Sequence, residues 1–282
     1  MESRRFNKVT AYFVSVLLFA ALFFLTFHSG TPTSERRHVQ VVAFGDSLFG
    51  LCRDDTGVPV QLGKLLDKSV FNAALGGTCI SRIDSEYHMD YAKDSLSLVG
   101  ITKAVAADDF GVQQTARIRE SSTEYFPDVI DELERVDFST VEIVLIQHGL
   151  NDYYSGVPIG NPKDPYDEHT FTGALRSSLT ALRQANPDMR IILITPTYTW
   201  HIVSGLTCEE FNAGYGAQED YIQAEIQVAE EMGVELIDVY HDVYPHEKWE
   251  DWEVYTFDGL HPNEAGRELL TGIIGEYLLE NP

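Results

Sequence analysis

Short apolar segments separated by helical patterns constrain the fold of this chain more than any other feature of its sequence. Each segment is a nearly continuous run of apolar residues bounded by polar turn residues, which is typical of strands covered on both faces. The segments are residues 39–44, 69–73, 141–147, 190–195 and 234–239. Between them, apolar side chains recur at helical spacing, as at Phe171, Leu175, Leu179 and Leu182. This alternation predicts an α/β domain with a five-stranded parallel sheet between two layers of helices.

A different apolar segment lies near the start of the sequence. Residues 9–27 carry no charge, and as a helix they would span ~28 Å, close to the hydrocarbon thickness of a bilayer. Basic residues precede the segment, which favours a cytoplasmic N-terminus. We therefore predict a basic cytoplasmic tail over 1–8, a transmembrane signal-anchor over 9–27, a linker over 28–38 and an extracytoplasmic domain over 39–282. The alternative is a cleaved signal peptide, which would release a secreted domain.

Charge and cysteine content bear on which partners the chain can bind. The sequence has 44 Asp and Glu against 20 Lys and Arg, a formal net charge of −24, so we predict that it binds no nucleic acid. The spacing of its Cys and His residues matches no metal site, and we predict no metal and no cofactor. The cysteines are Cys52, Cys79 and Cys208. If the domain is extracytoplasmic, one bridge could form, and a Cys52–Cys79 pair is the hypothesis.

Polar or glycine-rich clusters follow the predicted strands at several points. Ser47 follows the first strand, Gly77 the second and Asn151 the third, while Asp258 and His261 lie between the fifth strand and the last helical pattern. Parallel strands bring their carboxyl ends to the same edge of the sheet, and ligands bind in the crevice there. We therefore expect these residues to face one crevice.

The residue types in these clusters suit acyl transfer. A serine hydroxyl becomes an effective nucleophile when a base such as His261 takes its proton. Asp258, three residues earlier, can hold the other ring nitrogen of the imidazole in a tight turn. Backbone N–H groups near Gly77 and the Asn151 amide are suitable donors to an oxyanion. The predicted catalytic residues are therefore Ser47, Asp258, His261, Gly77 and Asn151.

Taken in order, the clusters resemble the sequence blocks of the GDSL, or SGNH, hydrolase family. The matching blocks are Gly45-Asp46-Ser47-Leu48, Gly77, Gly149-Leu150-Asn151-Asp152 and Asp258-Gly259-Leu260-His261. The resemblance implies a three-layer α/β/α flavodoxin-like fold, with Ser47 as nucleophile and its N–H beside that of Gly77 in the oxyanion hole. A second Asp-x-x-His pair, Asp238 and His241, lacks the following proline and helix and is set aside. The long segment 78–140 departs from the family pattern.

The resemblance implies hydrolysis of carboxylic esters through an acyl-enzyme. Combined with the anchor, it predicts a membrane-anchored extracytoplasmic serine esterase whose substrates are short-acyl esters, such as O-acetylated carbohydrates. The alternatives are an O-acetyltransferase acting on cell-surface polysaccharide, a lipase or acyl-thioesterase of the same family, and a non-catalytic binding module. Aromatic residues near the site loops would suit sugar stacking or an acyl pocket, although packing in the rim and core is the simpler interpretation. They are Tyr153, Tyr154, Tyr198, Trp200, Trp249, Trp252 and Tyr255.

Overall fold

The computed structural model describes residues 36–83, 94–116, 123–241 and 243–282. The predicted tail and anchor, and the linker up to residue 35, lie outside these ranges. Arg37 already belongs to the domain, because its N–H donates to the carbonyl oxygen of Arg135 at 2.7 Å. Within the described ranges, no helix combines the length and the apolar character needed to span a bilayer.

The described elements alternate between strand and helix along most of the chain. In order they are β1 (Val41–Gly45), α1 (Ser47–Gly50), α2 (Val58–Leu66), β2 (Val70–Asn72), α3 (Leu98–Ala107), α4 (Phe126–Arg135), β3 (Ile143–Gln147), α5 (Leu150–Tyr154), α6 (Phe171–Ala185), β4 (Arg190–Ile194), β5 (Trp200–His201), β6 (Leu206–Thr207), α7 (Gln218–Met232), β7 (Glu235–Ile237), α8 (Trp252–Tyr255) and α9 (Glu264–Glu280).

One sheet organises the domain, with strand order β2-β1-β3-β4-β7 and parallel pairing throughout. Each predicted strand is present, so the prediction of a five-stranded parallel sheet is confirmed. This order is the flavodoxin-like one, in which the chain reverses direction across the sheet beside the first strand. The antiparallel pair β5–β6 lies outside that sheet, in a segment for which the sequence predicted no strand.

Alternate residues of β1 face opposite sides of the sheet, as the period of a strand requires. Val42 and Phe44 join a large apolar cluster on one side, while Val41 and Ala43 join a second cluster on the other. The second cluster includes Leu62 of α2 and residues of α9, and the first includes residues of α3, α4 and α6. Helices therefore cover both faces and complete the predicted three layers.

The helical stripes predicted from the sequence lie in helices of the structure. In α6, Leu175, Leu179 and Leu182 are fully buried against the sheet, and burying a leucine side chain contributes about 1.5–3 kcal/mol. The last helix, α9, begins at Glu264, two residues after Pro262. The Asn263 side chain caps it by accepting the N–H of Gly266 at 3.0 Å.

All three cysteines are free in the structure, so the hypothesis of a Cys52–Cys79 bridge is wrong. The Cys52 Sγ lies 3.5 Å from the Thr56 Oγ1 in the turn after α1. Cys79 is buried, and Cys208 is buried within the aromatic cluster beside the β5–β6 pair. Each thiol therefore has a separate packing environment.

Candidate active site

Ser47 lies at the carboxyl end of β1, where the strand turns into the short helix α1. The turn is fixed by Asp46, whose Oδ1 accepts the N–H of Leu48 at 3.0 Å and so caps the helix. Asp46 is completely buried, whereas Ser47 is half-buried. The capping therefore holds the serine hydroxyl at the surface of the crevice.

Asp258 and His261 lie in one tight turn before α9. The His261 Nδ1 donates to the Asp258 Oδ2 at 2.7 Å, and the Asp258 Oδ1 accepts the backbone N–H of His261 at 2.7 Å and of Leu260 at 3.1 Å. Partial burial acts to raise the pKa of Asp258, but these hydrogen bonds outweigh it and hold that pKa below its ordinary value. The carboxylate is therefore ionised and fixes both the tautomer and the orientation of the imidazole.

The turn places the other ring nitrogen of His261 against the serine. The His261 Nε2 lies 2.9 Å from the Ser47 Oγ, which is hydrogen-bond distance. With Nδ1 protonated toward Asp258, Nε2 is the acceptor and the serine hydroxyl donates. Serine, histidine and aspartate thus form a continuous chain of hydrogen bonds, which is the connectivity that a nucleophile, its base and an orienting carboxylate require.

Gly77 lies in the turn after β2, next to the serine. A Cβ on Gly76 would lie 3.6 Å from the Ser47 Cβ, so this turn packs directly against the start of α1. Gly77 is exposed and has φ of +77°, a left-handed conformation that glycine adopts without strain. A Cβ at Gly77 would meet no protein atom within 4 Å among the described residues. The backbone conformation favours glycine here, and the side of the turn on which a Cβ would lie is open.

Asn151, in the first turn of α5, also reaches this cluster. Its Nδ2 donates to the Thr78 carbonyl oxygen at 3.0 Å and lies 3.3 Å from the Asp46 Oδ2. The amide is therefore anchored between the loops that carry Gly77 and Ser47. In this structure both N–H groups of the amide face protein acceptors. To stabilise an oxyanion, one of them must therefore also donate to the oxyanion, or the amide must rotate toward it.

Two buried carboxyl groups organise these loops. The Asp152 Oδ2 accepts the N–H of Ile80 at 2.8 Å, and its Oδ1 accepts the N–H and hydroxyl of Ser81. Burial raises the pKa of Asp152 to about 6 and that of Asp46 to about 7. Through their contacts with backbone N–H groups, both carboxyl groups hold the loops of the site in place.

His148, which directly follows β3, contacts the loops that carry Gly77 and Asn151. It is buried, its Nδ1 accepts the N–H of Gly149 at 3.0 Å, and its Nε2 lies 3.3 Å from the Thr78 Oγ1. Burial lowers its pKa to about 3, so the ring is neutral. The neutral ring joins the turn after β2 to the turn after β3.

The second Asp-x-x-His pair forms the same local turn at a different place. The His241 Nδ1 lies 2.6 Å from the Asp238 Oδ2, while its Nε2 faces Glu219 at 3.1 Å instead of a serine. The two carboxylates contact opposite ring nitrogens. Across the described ranges, no group of three or more His, Cys, Asp or Glu side chains is arranged to hold a metal ion.

The aromatic residues near the site differ in how far they are exposed to solvent. Tyr153, Tyr198 and Trp200 are at most 2% exposed, so the packing interpretation applies to them. The aromatic ring that flanks the histidine was not singled out from the sequence. Phe257 is 53% exposed, and its ring is nearly parallel to that of His261, with centroids 5.6 Å apart. Its position immediately before Asp258 is the sequence signal that could have identified it.

Similarity to solved structures agrees with this fold. A protein from Lactobacillus plantarum has a TM-score of 0.60 and 21% identity, over 86% of this chain and 97% of that one. A structure titled as a possible lipase from Chitinophaga pinensis has a TM-score of 0.55 and 18% identity, over 86% and 98% of the two chains. Identities this low establish the fold alone. No curated protein sequence matches the chain.

The sequence itself carries a family match. The model of the GDSL-like lipase/acylhydrolase family matches residues 43–269, from within β1 to within α9. This range holds all of the residues that form the serine, histidine and aspartate chain. Because the match covers most of the sequence, the chain belongs to the GDSL-like lipase/acylhydrolase family and is a hydrolase that acts on ester bonds.

Proposed function

We propose that this protein is a serine esterase that forms an acyl-enzyme on Ser47. The observation that carries the proposal is the continuous chain from the Ser47 Oγ through His261 to Asp258, at 2.9 Å and 2.7 Å. In the first step, the His261 Nε2 takes the hydroxyl proton as the Ser47 Oγ bonds to the ester carbonyl carbon. Asp258 stabilises the imidazolium that forms, and remains ionised throughout.

The tetrahedral intermediate carries its negative charge on the former carbonyl oxygen. The N–H groups of Ser47 and Gly77 and the amide of Asn151 are the donors we assign to that oxygen. Collapse of the intermediate breaks the bond to the alcohol, which leaves with the proton from His261. Water then attacks the acyl-serine, His261 takes a proton from it, and the acid and free enzyme are released.

The substrate class we propose is a neutral ester with a short acyl group, such as an O-acetylated carbohydrate. The net charge of −24 disfavours anionic substrates. The half-exposed ring of Phe257, next to the imidazole that protonates the leaving alcohol, offers a flat apolar surface to that alcohol. We further propose that residues 9–27 anchor the protein in a membrane, with the domain outside the cytoplasm.

Covalent labelling tests the proposed nucleophile. A fluorophosphonate should bond through phosphorus to the Ser47 Oγ with loss of fluoride, and peptide mass spectrometry should place the adduct on Ser47. His261→Ala should remain folded and label far more slowly, since it lacks the base. Labelling at another serine, or equal rates in both proteins, would contradict the proposal. Supplying a sugar acceptor with an acetyl ester distinguishes hydrolysis from transfer by the product formed.

A further inference from the structure

Tyr125 reaches the site from the long segment that departs from the family pattern. It immediately precedes α4, and its hydroxyl oxygen accepts the N–H of Gly76 at 2.8 Å. Gly76 packs against the Ser47 Cβ, as described above, and its neighbour Gly77 is the proposed oxyanion donor. The tyrosine hydroxyl therefore holds the residue that connects the nucleophile to the oxyanion turn.

Arg53 holds the same turn from the other side. Its Nη1 donates to the carbonyl oxygen of Ala74 at 3.1 Å, and its Nη2 donates to that of Asn72. Its guanidinium carbon lies 4.7 Å from the centre of the Tyr125 ring, a cation–π distance. Because Arg53 follows α1 in the chain, this one side chain joins the nucleophile segment, the oxyanion turn and the tyrosine.

The shape of the backbone around the hydroxyl supports a specific fit. A Cβ added at Gly50, the last residue of α1, would lie 2.9 Å from the Tyr125 hydroxyl oxygen. A Cβ added at Gly76 would lie 3.2 Å from the same atom. Both distances are tighter than ordinary contacts with a Cβ. The hydroxyl thus lies between two glycines, Gly50 at the end of α1 and Gly76 in the turn after β2, where any larger residue would crowd it.

We propose that Tyr125, held by Arg53, is a positioning residue that fixes the turn from Ala74 to Gly77, so that the N–H of Gly77 faces the developing oxyanion. This inference rests on the proposed function. Oxyanion stabilisation depends on donors that are already oriented when charge develops, and a displacement of about 1 Å can cost roughly 10²-fold in rate. Removing the hydroxyl leaves the N–H of Gly76 without its acceptor and frees the turn.

Tyr125→Phe in the full chain tests the proposal, because it deletes only the hydroxyl and keeps the ring beneath Arg53. We expect kcat for p-nitrophenyl acetate to fall by roughly 10- to 100-fold, with KM nearly unchanged. The rate of fluorophosphonate inactivation should fall by a similar factor, because the phosphoryl oxygen uses the same donors. A purely structural role would lower the melting temperature without changing either rate in the folded protein.

Tyr277→Phe is the matched control. It also removes a tyrosine hydroxyl that is held in a hydrogen bond, although this hydroxyl is the donor, to the Glu235 Oε2 at 3.0 Å. Glu235 begins β7, so this contact lies at the amino edge of the sheet, opposite the crevice. Both rates should stay at the wild-type value in this variant.

Arg53→Lys and Gly50→Ala extend the test should Tyr125→Phe fold poorly. Lysine keeps the charge but cannot bridge both carbonyl oxygens, so kcat should fall several-fold at constant KM. Gly50→Ala should also lower kcat by displacing the hydroxyl, and its further effect should be small in the Tyr125→Phe background. Provided that turnover depends on Ser47, wild-type rates in Tyr125→Phe would overturn the inference. If Tyr125→Phe does not fold, wild-type rates in Arg53→Lys would overturn it instead. Turnover that does not depend on Ser47 would instead refute the proposed function.

Discussion

The His261 Nε2 lies 2.9 Å from the Ser47 Oγ, although the two residues are 214 positions apart in the chain. The sheet accounts for this contact. Ser47 follows β1, which lies between β2 and β3, and the turn with His261 comes after the edge strand β7 and leads into α9. The contact therefore depends on the complete parallel sheet, and the chemistry proposed here requires the folded domain.

Asp258→Asn should lower kcat sharply. An asparagine can present its N–H to the His261 Nδ1 and so favour the wrong tautomer, which in other enzymes with this constellation costs about 10⁴-fold. We expect a loss of 10³-fold or more, roughly, with KM little changed, in steady-state hydrolysis of p-nitrophenyl acetate. Asp238→Asn is the matched control, because it makes the same change in the turn of His241, which faces Glu219 instead of Ser47. Equal losses in the two variants would contradict the assignment.

Asn151→Ala should reduce kcat by about 10²- to 10³-fold, the usual cost of losing one oxyanion donor. The amide now contacts the Thr78 carbonyl oxygen and the Asp46 carboxylate, so its loss should also lower the melting temperature slightly. The two effects are separable when kcat and KM are measured well below the unfolding transition. A variant with altered stability but unchanged kcat would show that Asn151 only braces the loops.

The strands and the meeting of the site residues could be anticipated from local patterns in the sequence, whereas the flavodoxin-like fold was implied by the family resemblance. Apolar runs indicated β1, β2, β3, β4 and β7, and parallel strands necessarily gather their carboxyl ends at one edge. The predicted ends of the strands differ from the observed ends by at most two residues, since side chains of neighbouring layers determine where pairing stops. The sequence alone does not decide where α9 begins, because Pro262 and Asn263 are both residues favoured at the start of a helix.

Phe257→Ala should weaken binding of esters whose alcohol is a ring. The exposed ring parallel to His261 offers an apolar face beside the leaving group, so KM should rise several-fold for phenyl acetate and for an acetylated sugar. Methyl acetate, which has no ring to stack, should show unchanged kcat/KM. Tyr166→Ala removes an exposed aromatic side chain from a different groove and serves as control. Equal losses for methyl acetate and phenyl acetate would show that Phe257 only supports the histidine.

Glu225→Gln should stabilise the protein in a pH-dependent way. Glu225 is buried in α7, its Oε2 has no hydrogen-bond partner among the described residues, and burial raises its pKa well above 4.5. Above about pH 4.5 the unfolded chain therefore loses a proton from Glu225 that the folded chain keeps, so the contribution of this residue to stability falls as pH rises. Glutamine does not titrate and so removes this pH dependence. Each unit by which folding raises the pKa corresponds to about 1.4 kcal/mol in the free energy of unfolding.

Urea unfolding at several pH values measures this effect. The variant and the wild type should be similar near about pH 4, and the variant should become increasingly more stable than the wild type as the pH rises above that value. Glu230→Gln, which changes an exposed carboxylate on the same helix, is the control and should leave the pH dependence unchanged. Parallel stability curves for wild type and Glu225→Gln would contradict the account.

Two contacts of the site that the sequence did not reveal join segments that are distant in the chain. Tyr125 lies in a segment without a family motif, and its contact with Gly76 spans 49 residues. The engagement of the Asn151 amide by Asp46 spans 105 residues. Neither contact has a periodic or motif signal, because each depends on how loops from different strand ends pack together.

The most direct test of the central claim is hydrolysis of p-nitrophenyl acetate by the full chain beside Ser47→Ala. Serine is small and half-buried, so the substitution should leave the fold intact. We predict turnover by the wild type and a fall in kcat of at least about 10³-fold in the variant. Equal turnover by the two proteins would contradict the assignment of Ser47 as the nucleophile.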